Sequence, residues 1–212
     1  RDKDIANGII YAVDNGAQII NMSFGKDYSP HKEAVHKAVK YAEEKGVILV
    51  HASGNDGENL DSKSQFPTRT YKNNKVMRTW MEVGASSWGR DSTLAASFSN
   101  YGKKSVDLFA PGVEIYSTVP GNGYEGLQGT SMASPVVTGI AALLWSYYPD
   151  LTAQQVKDIL NQSSRKFDGL KVTQPGSSED VPFSQLSITG GTVNAYEAVR
   201  LAETYQKQPQ KK

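Results

Sequence analysis

The stretch that most constrains how this chain can fold is Gly129-Thr130-Ser131-Met132-Ala133-Ser134-Pro135 with the apolar run behind it: Val136, Val137, Ile140, Ala141, Ala142, Leu143, Leu144 and Trp145. Apolar residues fall on every face of a helix drawn through that run, so it reads as a helix buried on all sides. Everything else has to pack around it. Thr130 and Ser131 can accept hydrogen bonds from the amides of the opening turn, Gly129 permits a tight approach, and Pro135 lies where a missing donor costs least. Ser131 therefore stands at a helix mouth, where amide donors and the positive end of the helix dipole favour a developing negative charge beside its hydroxyl. A serine before an apolar run is more often an N-cap, but these are also conditions a nucleophile can use.

Composition narrows the classes of function. The 212 residues, 38% of them hydrophobic, suffice for one domain with a substantial core. A formal net charge of +1 gives no reason to expect a nucleic acid or an anionic membrane as partner. Cysteine is absent, which removes disulfides and thiolate metal sites and leaves the compartment open. No apolar stretch approaches the roughly 20 residues of a membrane span, so none is expected. Residue 1 is Arg with no signal-like segment behind it, and the chain is expected to be a piece of a longer precursor.

Periodicity supplies the architecture. Ile5, Ile9, Ala12 and Val13 recur at helical spacing before Asn15-Gly16, and residues 17–22 read as a buried strand running into Ser23-Phe24-Gly25. A second helix over Glu33–Lys45 then leads to the apolar strand Val47–Val50. Helix, strand, helix, strand implies right-handed crossovers and a parallel sheet. Further strands are expected at Trp80–Ala85, Val106–Ala110 and Glu114–Thr118, a hairpin at Ala96–Gly102, and a polar surface excursion over Asn59–Arg78. Pro149 closes the central helix, Thr152 opens another with Gln155 as capping-box partner, and 163–190 reads as loop. After the second strand, Gly54-Asn55-Asp56-Gly57 is by itself a turn signal, yet it lies at a strand's carboxyl end, where open α/β sheets meet their ligands.

Four motifs in order, Asn21-Met22-Ser23-Phe24-Gly25, Gly54-Asn55, Ala110-Pro111-Gly112 and the Ser131 heptapeptide, resemble the subtilisin family of serine proteases over nearly the whole chain. The resemblance implies a three-layer α/β fold with a mainly parallel sheet, residues 1–205 being the C-terminal part of the peptidase domain and 206–212 a polar tail. By that resemblance Ser131 is the nucleophile, with its backbone amide and the Asn55 side chain as oxyanion donors. Ser23, Phe24 and Gly25 would pair with an extended polypeptide substrate, a form of β-augmentation. Ala52, Ser53 and Gly54 would form a wall of the pocket for the side chain before the scissile bond, roomy because these residues are small. Gly129 and Thr130, beside the nucleophile, would also be substrate-binding residues. The chemistry implied needs no cofactor, leaves structural calcium open, and belongs to a secreted or cell-envelope protein.

The departures from the family pattern carry equal weight. A serine hydroxyl needs a base to take its proton and a third group to orient that base. In the family's order Asp and His precede the Ser, but His31, His36 and His51 stand in no His-Gly-Thr-like context and no Asp stands in an Asp-Ser/Thr-Gly context before the first helix. His31 reads as solvated, His36 as helical and His51 as structural. The triad's Asp and His are therefore expected in an N-terminal part not included here, and the chain alone is expected to be inactive. Its first strand would then have an unpaired outer edge, met by that part or by self-association. Two rivals remain: a catalytically silent subtilisin-like module that only binds extended peptides, and an unrelated α/β binding domain. Asp and His motifs in the parent's upstream sequence would separate the first rival from the enzyme.

Overall fold

The computed structural model describes residues 1–63, 65–71 and 75–206. Helix α1 (Asp2–Asp14) turns back into β1 (Ile19–Met22), and α2 (Lys32–Glu44) into β2 (Ile48–Ala52). The chain continues through β3 (Trp80–Ser86), β4 (Leu108–Pro111) and the β5 (Ile115–Val119)–β6 (Gly123–Leu127) hairpin to the long helix α3 (Thr130–Tyr147). Beyond lie α4 (Ala153–Gln162), β7 (Arg165–Lys166), β8 (Lys171–Thr173), β9 (Asp180–Pro182), β10 (Gly191–Thr192) and α5 (Ala195–Gln206). The expected capping box opens α4: Gln155 N donates to the Thr152 hydroxyl and Thr152 N to the Gln155 side chain.

Six strands form one sheet in the order β1-β2-β3-β4-β10-β7, parallel except for β7. Both of its faces are covered, which is why β2 and β3 are apolar almost throughout. Side chains alternate accordingly. Ile48, Val50, Met81, Val83, Leu108 and Ala110 join the core built with α3, α4 and α5. Met22, Leu49 and Trp80 join the core built with α1 and α2. The three layers are those expected. A third cluster around Phe109 and Phe183 fills one end of the sheet.

Four local expectations are corrected. α3 is not buried on all sides: Ala133, Val137, Ala141 and Leu144 are buried, but Pro135, Gly139, Ala142, Leu143, Ser146 and Tyr147 form an exposed stripe. The sheet and α4 cover only part of its circumference, and no described residue covers the rest. The 96–102 segment is no regular hairpin, although isolated bridges pair Ser86 with Ala95 and Asn59 with Tyr101. Residues 163–190 carry three short strands and a 3-10 turn rather than loop alone. The polar 59–78 excursion is anchored inward, since Phe66 and Met77 are fully buried against the α2 layer.

The unpaired edge expected at β1 is present, because β1 is the terminal strand of the sheet. Ser134 and Thr138 of α3 both donate to Asn21 Oδ1 of β1, so this edge and the exposed α3 stripe border one another. Gln206 ends α5, and the remainder of the expected tail, 207–212, lies outside the described residues. No helix among the described residues is long and apolar enough to cross a membrane.

Candidate active site

The carboxyl end of β2 and the mouth of α3 meet at Asn55. Its Oδ1 accepts from Thr130 N at 2.9 Å and from the Thr130 hydroxyl at 3.0 Å, while the Thr130 hydroxyl accepts from Gly54 N at 3.1 Å. A backbone N–H can only donate, so the atom facing it must be the amide oxygen. That fixes the flip of Asn55 and leaves its NH2 without a hydrogen bond among the described residues. Thr130 is thus consumed in bridging the two elements rather than in capping α3, whose N-cap is Gly129 with no side-chain cap. Gly129 has φ +149°, a conformation that L side chains rarely adopt, and a Cβ there would lie 3.4 Å from Asn55 Nδ2. The close approach expected of Gly129 is therefore made to Asn55.

Ser131 lies in the first turn of α3, half-buried. Its N–H is one of the opening amides that have no partner within the helix. Its Oγ lies 3.5 Å from the Ser23 carbonyl, a marginal hydrogen bond. The Ser23 hydroxyl donates to the Ser131 carbonyl at 2.9 Å and is itself held by Asn21 Nδ2 at 3.0 Å, so the 23–25 segment is tied to the helix mouth.

A cleft of about 290 Å³ joins these groups, lined by Phe24, Gly25, Ala52, Gly54, Asn55, Thr130 and Ser131. Ser53 does not line it. Strand alternation turns Ser53 inward, where it is fully buried and donates to the Asn100 carbonyl at 3.1 Å. Lys26, Asp27, Asp56 and Gln65 complete the lining and were missed by sequence reasoning. Three of them are chain neighbours of the expected residues, so extending each motif by one or two positions finds them. Gln65 has no local signal, because only the return of the 59–78 segment brings it there. Gln65 lies against this wall: its amide donates to Asp56 Oδ2 at 2.5 Å, and a Cβ on Gly54 would collide with its Oε1. The space left by the small wall residues is partly filled by this polar side chain.

None of the three histidines is bonded to Ser131. His31 caps α2, with its N–H donating to Asp2 Oδ2 at 3.2 Å, and His36 packs on the Phe66 ring at 5.6 Å. His51 is buried in β2 between Glu82 and the Phe24 carbonyl, the structural role expected of it. No group of three or more His, Cys, Asp or Glu among the described residues could hold a metal ion.

Just before β4, the buried Asp107 binds four segments together. It receives Lys157 Nζ at 3.1 Å, Arg69 Nη1 at 3.0 Å and Glu82 N at 2.8 Å. Burial by itself would push its carboxyl up, but the two cations and these hydrogen bonds outweigh burial and hold it below the ordinary carboxylate value.

Residues 1–185 match the model of the subtilase family. A thermophilic serine proteinase of Bacillus sp. (strain AK1) is 42% identical over 166 residues, 78% of this chain and 37% of the relative. Subtilisin DY of Bacillus licheniformis is 39% identical over 160 residues, 76% of this chain and 54% of the relative. The chain thus spans about half, or less, of the length of these curated relatives. Among solved structures, the prenylagaramide maturation protease PagA superposes with a TM-score of 0.72 at 28% identity, over 95% of this chain and 68% of that one.

Proposed function

Because the chain belongs to the subtilase family, we propose that it carries the nucleophile half of a serine endopeptidase site, with Ser131 as the attacking group. The observation that supports this most directly is the double hold of Thr130 on Asn55 Oδ1, which leaves the Asn55 NH2 free at the helix mouth that carries Ser131. Ser131 Oγ attacks the scissile carbonyl carbon as its proton passes to a base. The oxygen that becomes negative is met by the Ser131 N–H and the Asn55 NH2, aided by the amino-terminal dipole of α3. Expulsion of the amine leaves an acyl group on Ser131, which water then removes. Ser23, Phe24 and Gly25 pair with the extended substrate main chain, and Ala52 and Gly54 wall the pocket for the side chain before the scissile bond. Gln65 across that pocket favours small or polar side chains there.

The base is not among this chain's three histidines. We therefore infer that a His and an Asp from outside these 212 residues complete the site, and that the chain alone hydrolyses nothing. The same partner segment, or a second copy, covers the β1 edge and the α3 stripe beside it. Family kinship supports a secreted or cell-envelope location. The rival reading, a silent peptide-binding module, is favoured only by Ser131 Oγ having the Ser23 carbonyl, and no base, as its hydrogen-bond partner among the described residues. Fluorophosphonate labelling of the full-length protein decides between them. Labelling at Ser131, with loss of labelling and hydrolysis in Ser131→Ala, is the expected result; turnover unchanged in that variant overturns the assignment.

A further inference from the structure

His51 takes no part in chemistry at Ser131, yet it is 1% exposed and sits directly behind the segment assigned to substrate pairing. Its Nδ1 lies 2.7 Å from Glu82 Oε1 and its Nε2 2.8 Å from the Phe24 carbonyl oxygen. The other Glu82 oxygen accepts from Trp80 Nε1 at 2.7 Å. A carboxylate and a carbonyl can only accept, so both contacts are hydrogen bonds only when the pair holds one proton more than a neutral imidazole and a carboxylate. Successive peptide carbonyls of an extended segment point to opposite sides. The Ser23 carbonyl lies on the Ser131 side and the Phe24 carbonyl on the His51 side.

We propose that His51, held protonated against Glu82, is a positioning residue for substrate binding: it anchors the Phe24 carbonyl inward and thereby keeps the Ser23 carbonyl and the Gly25 peptide turned toward an extended substrate. This rests on the peptidase reading above. Burial disfavours the imidazolium, but the charge and hydrogen bond of Glu82, with the Phe24 carbonyl, outweigh it and raise His51 above its ordinary value. The other ionisable groups nearby are Arg69, which shares a cavity of about 80 Å³ with His51 and Glu82, and beyond it Asp107 and Lys157. Arg69 and Lys157 are both paired to Asp107. The Trp80 ring lies 5.0 Å from the imidazole and the Phe24 ring 6.4 Å. Since the folded value is raised, the anchor is complete below the ordinary imidazole value of about 6.5 and is lost as pH rises through the raised value.

The test combines nitrogen NMR of His51 with kinetics of the full-length protein on a tetrapeptide anilide and on an aryl acetate ester, which has neither side chain nor main chain to lie along the 23–25 segment. Both ring nitrogens are expected to be protonated at pH 6, and KM for the tetrapeptide should rise as His51 titrates while the ester is unaffected. His51→Leu combined with Glu82→Gln, which leaves no unpaired carboxylate, should raise the tetrapeptide KM about tenfold, the loss of one charge-assisted hydrogen bond, and spare the ester. His51→Gln, whose amide can reach the same carbonyl, should restore KM and abolish its pH dependence. An unprotonated ring nitrogen at pH 6, or equal damage to ester and tetrapeptide, overturns the anchor. Turnover of neither substrate by the unsubstituted protein overturns the peptidase reading instead, and calorimetric affinity of the same variants for the tetrapeptide then decides the anchor.

Discussion

A single amide does the sorting at Asn55. With its oxygen occupied twice by Thr130, its nitrogen end is left for the oxyanion donation proposed above, with no rearrangement required. On the proposed peptidase reading, Asn55→Leu in the full-length protein is expected to lower kcat by roughly 10²–10³ with little change in KM, a range taken from the corresponding donor in a subtilisin. Steady-state kinetics on a peptide anilide checks this, and a raised KM with kcat intact would make Asn55 a binding residue. Asn55 was legible in the sequence because Gly54-Asn55 follows a strand. Its partner Thr130 was legible as a cap and a substrate-binding residue, not as the group that holds Asn55. The hydroxyl has one proton and takes whichever arrangement satisfies the most groups, and that depends on β2 arriving beside α3.

Elements are joined here by buried charge as well as by apolar packing. Asp107, at the entrance to β4, draws in Lys157 from α4, Arg69 from the 59–78 segment and the Glu82 amide of β3. Lys157 also donates to the Trp80 carbonyl. Removing one partner of such a set strands a charge in a poorly hydrated site, so Lys157→Met should cost about 3 kcal/mol in urea unfolding. Lys157→Met with Asp107→Asn should cost less than the sum of the two single changes, because no carboxylate remains to be stranded. The pH dependence has a definite sign. Asp107 has a lowered value in the folded state, so its contribution is present above about pH 4, the ordinary range for Asp, and is lost as pH falls below it. Asp107→Asn should flatten that acid limb, and an unchanged limb would remove Asp107 from the account. The helices and strands of this layer were predictable from their periods. The ion pairs were not, since residues 69, 82, 107 and 157 are far apart in the chain.

At the scale of the whole molecule, the β1 edge and the neighbouring α3 stripe, both uncovered among the described residues, carry a prediction about association. Leu143 is 40% and Tyr147 71% exposed on a helix whose sequence is apolar all round. An open parallel edge beside apolar surface recruits another strand. The 212-residue chain is accordingly expected to self-associate, and Ile20→Lys to weaken that association; light scattering over a concentration series measures it. A clean monomer at high concentration contradicts the edge argument. The same preparation should show no proteolysis, because in a subtilisin the loss of the catalytic His alone costs roughly 10⁶ in kcat. Peptidase activity from this pure chain would contradict the missing base.

By itself, the sequence determined the alternation of helix and strand and the parallel sheet and, through motifs that resemble a family, the three layers and the candidate nucleophile. Those follow from short-range information: helical and strand periods, turn residues, and motifs a few residues long. Tertiary structure alone decided which side of each motif faces the cleft and what fills it. Ser53 turns away although its neighbours Ala52 and Gly54 do not, and Gln65 enters from a segment that reads as surface. It also decided that α3 keeps an exposed stripe. An apolar residue records that burial is favourable, and only the presence or absence of a covering segment determines whether that burial occurs.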